Sequence, residues 1–198
     1  MKLLLVASLP LRPYLECLLP EFSHEIDVFY LPDDSGIDFA SIQRLILNAH
    51  DYDAIVCADG AAVVCDQGLT AGEIPLVFPR VHNCISLLLG SAQAYRGLFS
   101  RFDGQLCWAL PNAESILTFI PSADCTCLCY LADTLLGLRD SSLSARTAAQ
   151  ENGWDYFHVE SDVLLLKRLL RGDWDGDDIL VVPKNESVSP NFRYDILA

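Results

Sequence analysis

Basic side chains are scarce in this chain: 13 against 27 acidic ones, for a net charge of −14. Nucleic acid is held largely through neutralised phosphates, so this balance excludes it unless a concentrated basic face exists. The densest group, Lys167, Arg168 and Arg171 on one predicted helix, is too small for that. An anionic membrane surface is disfavoured on the same ground. Long apolar runs are also missing, and none approaches the ~20 residues that span a bilayer. The opening Leu3–Ala7 is short, and Pro10, Arg12, Pro13 and Glu16 interrupt what a secretory signal would need. It reads as a first strand instead. A Walker loop, a dinucleotide fingerprint, a paired-histidine zinc helix and a Gly-x-Ser-x-Gly elbow are all absent, which removes the commonest nucleotide, zinc-protease and serine-hydrolase readings.

What is present is apolar material. Hydrophobic residues make up 52% of the chain and charged ones only 20%, the opposite of a disordered composition. A chain of 198 residues is long enough to bury roughly 70% of its unfolded surface in one core. A single α/β domain over residues 1–198 is therefore expected. Eight cysteines occur, at positions 17, 57, 65, 84, 107, 125, 127 and 129. Most fall in predicted strands or helices with apolar neighbours, which suits reduced thiols and a cytoplasmic location better than a disulfide scaffold.

Strands and helices alternate along the chain. Strands are predicted over Lys2–Ser8, Ile26–Leu31, Ala54–Cys57, Pro75–Phe78, Leu106–Leu110, Thr126–Leu131, Tyr156–Val159 and Ile179–Val182. Helices are predicted over Arg12–Pro20, from Asp38 (as cap) to Ala49, over Asn83–Arg101, Ala113–Phe119 and Ser144–Glu151, and over Asp162–Arg171. The tail from Lys184 reads as irregular. This order predicts a mainly parallel sheet with helices on both faces and Rossmann-like βαβ units, with two βαβ halves meeting near Ser122 as a further possibility.

Ligands of such sheets sit beyond the carboxyl ends of the strands. The loop after the fourth predicted strand carries Pro79-Arg80-Val81-His82-Asn83-Cys84, the most chemically loaded hexapeptide in the chain. Asn83 fits an N-cap, which puts Cys84 at the first helical position, where the helix dipole and Arg80 would favour a thiolate. His82 precedes the cap and its ring can reach the same pocket, and Arg80 can grip a carboxylate or phosphate. The plainer alternative is that Cys84 packs as a small apolar residue while His82 bonds a neighbouring carbonyl. Asp59-Gly60, at the end of the third strand, offers a carboxylate or an ordinary turn. Cys65 lies in the same loop.

Two showier patterns read as structural. Cys125-Thr126-Cys127-Leu128-Cys129 on a strand would project its sulfurs from one face about 6.6 Å apart, whereas zinc thiolates need sulfurs within roughly 4 Å of each other. Asp173-Trp174-Asp175-Gly176-Asp177-Asp178 has its glycine fourth rather than sixth, so it is not a calcium loop.

The stretch from Pro79-Arg80-Val81-His82-Asn83-Cys84-Ile85 to Leu89-Gly90-Ser91 resembles a segment of the domain-of-unknown-function family 1638 (DUF1638). The resemblance extends to Asn152-Gly153-Trp154, to Asp162 with Leu164-Leu165, to Leu170–Asp175 and to Ile179–Pro183. It implies a cytosolic protein associated with corrinoid-dependent or one-carbon methyl metabolism, with a corrinoid protein or methyltransferase as partner. The family pattern has Cys-Gly, Leu-His and Tyr-Gly-x-Cys after its first three strands. This chain has Ser8-Leu9, Leu31-Pro32 and Asp59-Gly60-Ala61-Ala62 there. Of a metal set only His82 and Cys84 remain, with Cys65 and Asp59 as substitutes, and two ligands do not hold a structural zinc.

Two functions follow. In the first, Cys84 is nucleophile or ligand to zinc or another thiolate-bound metal, His82 is base or second ligand, and Arg80 anchors an anion. The second is a non-catalytic module that binds a small anion or a protein partner in the same cleft.

Overall fold

The computed structural model describes residues 1–31, 39–64, 68–111, 125–191 and 196–197. Its first half builds a mostly parallel sheet from strands β1 (Lys2–Ser8), β2 (Glu25–Leu31), β3 (Ala54–Cys57) and β5 (Leu76–Pro79). The last long strand, β9 (Ile179–Val182), returns to this sheet. The order is β2-β1-β3-β5-β9, and only β9 is antiparallel. A second, three-stranded parallel sheet is ordered β6 (Leu106–Ala109), β7 (Cys127–Ala132), β8 (Asp155–Glu160). A two-stranded ladder joins β4 (Leu69–Thr70) to β10 (Ser187–Val188). The helices are α1 (Arg12–Leu18), α2 (Phe39–Asn48), α3 (Ala61–Val64), α4 (Cys84–Leu88), α5 (Ala92–Arg101), α6 (Ser142–Asn152) and α7 (Leu164–Arg171).

Strand periodicity sorts the core. In β1, Leu3, Leu5 and Ala7 join one buried cluster while Leu4 and Val6 join another, as alternation of side chains across a sheet requires. The second cluster holds Ile42 and Ile46 of α2 and Val63 and Val64 of α3. The first runs through Leu15 of α1, Ile85 and Leu88 of α4 and Leu166 and Leu169 of α7 to Leu106, Trp108 and Cys129 of the second sheet. That sheet's opposite side buries Cys107, Leu128 and Tyr130 against Ala145 and Ala149 of α6. One hydrophobic layer thus serves both sheets, with each fully buried leucine contributing roughly 1.5–3 kcal/mol.

Several expectations change. The helix expected over Asn83–Arg101 is two: α4 ends, Gly90 takes φ +77°, and Ser91 caps α5 by accepting from Ala94 N at 3.1 Å. A residue distant in the chain also meets the break. Asp162 donates its N–H to the Leu88 carbonyl at 2.8 Å and sets its carboxylate against Gly90. The tail is not irregular throughout, since Ser187–Val188 pairs with β4 and Ile196 and Leu197 are buried. The three cysteines of the triplet do not share a face. Cys127 and Cys129 enter the layer between the sheets, while Cys125, ahead of β7, packs on the α6 side and is bonded to Cys107; among the described residues Cys17, Cys57, Cys84, Cys127 and Cys129 are free thiols, as expected, and that pair is not. The sheets change between β5 and β6; Ser122, the Asp38 cap and the Ala113–Phe119 helix lie outside the described residues. Among the described residues, no helix is long and apolar enough to cross a membrane.

Candidate functional site at the carboxyl end of the first sheet

Strand order reverses between β1 and β3, because β1 leads to β2 on one side while β3 lies on the other. The crevice at such a switch point is where parallel sheets open. Ser8 ends β1 there and Asp59 follows β3. Gly60 makes the turn with φ +58°, and a Cβ on it would fall 2.4 Å from the Val81 carbonyl oxygen, so no side chain fits. Ala61 N donates to that same carbonyl at 2.9 Å, which pins the β3 turn to the loop after β5.

This closeness lets Asp59 reach back across the sheet. Its carboxyl accepts from Ser8 N at 2.7 Å and from Ser8 Oγ at 2.6 Å, and Cys84 hydrogen-bonds into the same group. Asp59 and Cys84 are both buried. Burial pushes the Asp59 carboxyl above its ordinary value, only partly offset by its bonds to Ser8 and Cys84.

The surroundings of Cys84 oppose the thiolate expected at a helix start. Burial first, then the Asp59 carboxyl, hold the Cys84 thiol well above the ordinary range, only partly offset by its hydrogen bonds to Ser8 and the Ile85 backbone. Asn83 is the N-cap, accepting from Ser86 N at 3.0 Å. The Arg80 guanidinium donates to the Leu197 carbonyl, and its backbone N–H bonds Asp178 O at 2.8 Å, so it reaches the tail rather than Cys84. The half-buried His82 packs on Tyr95, ring centroids 5.6 Å apart, with its Nε2 buried and unpartnered among the described residues. Burial, and secondarily Arg96, lower its pKa and favour the neutral ring. Thus Asp59 and Cys84 come together with Ser8, Arg80 reaches the tail, and Asn83 and His82 both meet Tyr95, the Asn83 amide donating to its hydroxyl at 3.4 Å. Cys65 lies outside the described residues. Among those residues, no group of three or more His, Cys, Asp or Glu side chains is arranged to hold a metal. The donor set does not fit a thiolate-bound ion, because Cys84 points at a carboxyl and a hydroxyl rather than at His82.

Two charged runs prove structural. Arg168 spans Asp178 (2.6 Å) and Asp173 (3.4 Å), which accounts for part of the acidic stretch, and Lys167 pairs with Glu21 at 3.1 Å. Residues not singled out in the sequence also belong to the site region. Ser8 entered the sequence reading only as the residue standing where the DUF1638 pattern has cysteine, and its bond to Asp59 follows from the strand order β1-β3. Tyr14, Tyr95 and Trp108 carried no signal beyond helix or strand periodicity.

No family model matches the chain, and no curated protein or solved structure matches it.

Proposed function

We propose that this is a Rossmann-like α/β binding protein, with helices on both faces of its first sheet, that holds a small polar molecule non-covalently where β1, β3 and β5 end. The observation carrying this reading is the buried Asp59 carboxyl, tied to Ser8 and Cys84 across the switch point. A buried acid with three donors is a costly arrangement for packing alone. It supports binding over nucleophilic catalysis because the partnered thiol is held protonated. An anionic ligand draws less support than a neutral one, since Arg80 engages the Leu197 carbonyl and a carboxyl occupies the centre.

The link to corrinoid or one-carbon methyl metabolism rests on the Pro79–Ser91 resemblance. Under that reading Ser8 and Asp59 replace metal ligands with hydrogen bonds, and the protein is a binding accessory rather than a thiolate enzyme. A thermal-shift screen of small polar compounds at neutral pH tests the site. A compound that raises the melting temperature of the native chain, but not that of a folded Asp59→Asn variant, is expected. Inertness of every compound, or a shift retained by Asp59→Asn, would defeat the proposal.

A further inference from the structure

Pairing with a single neighbour uses only half of a strand's peptide groups, and the pairing of β2 tells which half is left. Glu25 N donates to the Met1 carbonyl at 3.2 Å, and Lys2 stands opposite Glu25 in the register. Glu25, Asp27, Phe29 and Leu31 therefore bond β1, while the N–H and C=O groups of Ile26, Val28 and Tyr30 face the other way. β2 ends the sheet on that side, and among the described residues no strand pairs with this edge. Edges are usually guarded by shortness, lysine, proline or a bulge. β2 runs seven residues as Glu-Ile-Asp-Val-Phe-Tyr-Leu, all in one unbroken register with β1. Its two charges are drawn to Lys2 of the neighbouring strand, 2.9 Å from Glu25 and 3.7 Å from Asp27. Ile26, Val28 and Tyr30 stay only partly buried and Phe29 is 40% exposed, whereas β1 and β3 are covered along nearly their whole length. Beside Phe29 opens a cleft of about 740 Å³, where Leu45 and Tyr52 continue the wall and Arg44 and His50 are the basic groups. The Arg44 guanidinium lies along α2, donating to the Ala40 carbonyl at 3.1 Å and to Ser41 Oγ at 3.0 Å.

We propose that the outer edge of β2 pairs antiparallel with β2 of a second copy of this chain, joining the two first sheets into one. The register follows from the outward groups. A two-fold axis centred on Val28 sets Val28 against Val28 and Ile26 against Tyr30, so every outward residue bonds, each pair exchanging both hydrogen bonds. It also sets Asp27 of one copy directly across from Phe29 of the other, on the face of the cleft that carries Arg44 and His50. A shift that brought Asp27 opposite Asp27 would oppose like charges. The same strand thus supplies the aromatic side of each cleft and the acid that the basic groups there attract. That self-complementarity is what a two-fold interface requires.

The test is sedimentation equilibrium of the full chain, with amide hydrogen exchange alongside. It is run at about 0.15 M salt, where repulsion between copies of net charge −14 is screened beyond roughly 8 Å. The expected mass rises with concentration to that of a dimer. Exchange at Ile26, Val28 and Tyr30 slows in step, since those N–H groups face outward in the single chain. Val28→Pro removes no bond to β1, so the sheet keeps its ladder while the central intermolecular pair is lost. The dissociation constant is expected to rise roughly thirtyfold. Phe29→Lys, at an already exposed position, is expected to weaken the dimer as well, and it decides the matter if proline disturbs the fold. A monomer at every concentration up to millimolar overturns the inference and leaves the edge to a strand of another protein. So does a dimer of unchanged affinity in folded Phe29→Lys, or one whose Val28 amide exchanges as fast as in the monomer, the result for an interface elsewhere.

Discussion

Asp59 shows how two opposed effects divide at one side chain. Hydrogen bonds from Ser8 N and Oγ, and from Cys84, favour the ionised form; burial disfavours it and wins, so the folded-state pKa is raised. The consequence for stability has a definite sign. Between the unfolded value near 3.8 and the higher folded value, the native state keeps a proton that the unfolded chain has released. Stability from this group is therefore full below the unfolded pKa and is lost as pH rises through the folded one. Asn at this position cannot titrate. The melting temperature of the native chain relative to Asp59→Asn is expected to fall as pH rises above 3.8 and then level off. A difference that stays constant across the series would mean that burial does not control this carboxyl. Asp59 itself was legible in the sequence, because an Asp-Gly after an apolar strand marks a strand end. Its partners were not, since Ser8 lies 51 residues away in the chain.

At the scale of elements, what could be read and what could not divide along local and non-local causes. Ala54–Cys57 and Ile179–Val182 are short apolar runs bounded by turn formers, and they form strands with those bounds. The antiparallel direction of β9 has no local signature, because a four-residue run reads the same both ways. The apolar stripe Ile85, Leu88, Leu89, Ala92 and Tyr95 continues through Gly90-Ser91 as though one helix ran unbroken. The break combines a local part, the left-handed Gly90 and the Ser91 cap, with a non-local one, Asp162 at the end of the other sheet. Gly90 sits at φ +77°, and an added Cβ would lie 2.7 Å from Asp162 Oδ2. Gly90→Ala should lose about 1–2 kcal/mol from the left-handed backbone alone, and more from displacing the carboxylate. In an Asp162→Ala background the second part is already gone, so urea denaturation should show a smaller cost for the same substitution. Equal costs in both backgrounds would place the whole effect in the glycine's backbone and none in the junction between the sheets.

For the whole molecule, the decisive feature is that the mostly parallel first sheet and the parallel second sheet share one apolar layer. Length and composition predict one core and the alternating pattern allows two βαβ halves, but periodicity does not say which strands share a sheet, because both halves repeat the same strand–helix pattern. Sharing has an energetic consequence. Leu166 of α7 is fully buried in the cluster that also contains Leu5 and Val56 of the first sheet and Cys129 and Leu131 of the second. Truncating it to alanine removes packing from both sides of the layer, at a cost of about 2–5 kcal/mol. If the layer couples the sheets, the slowest amide protons of β1 and β3 and those of β7 lose protection by the same free energy in Leu166→Ala, because they exchange through one global opening. Protection lost in one sheet and kept in the other would show that each half stands alone, and the α4 region would then be a joint between two independent bodies instead of the interior of one.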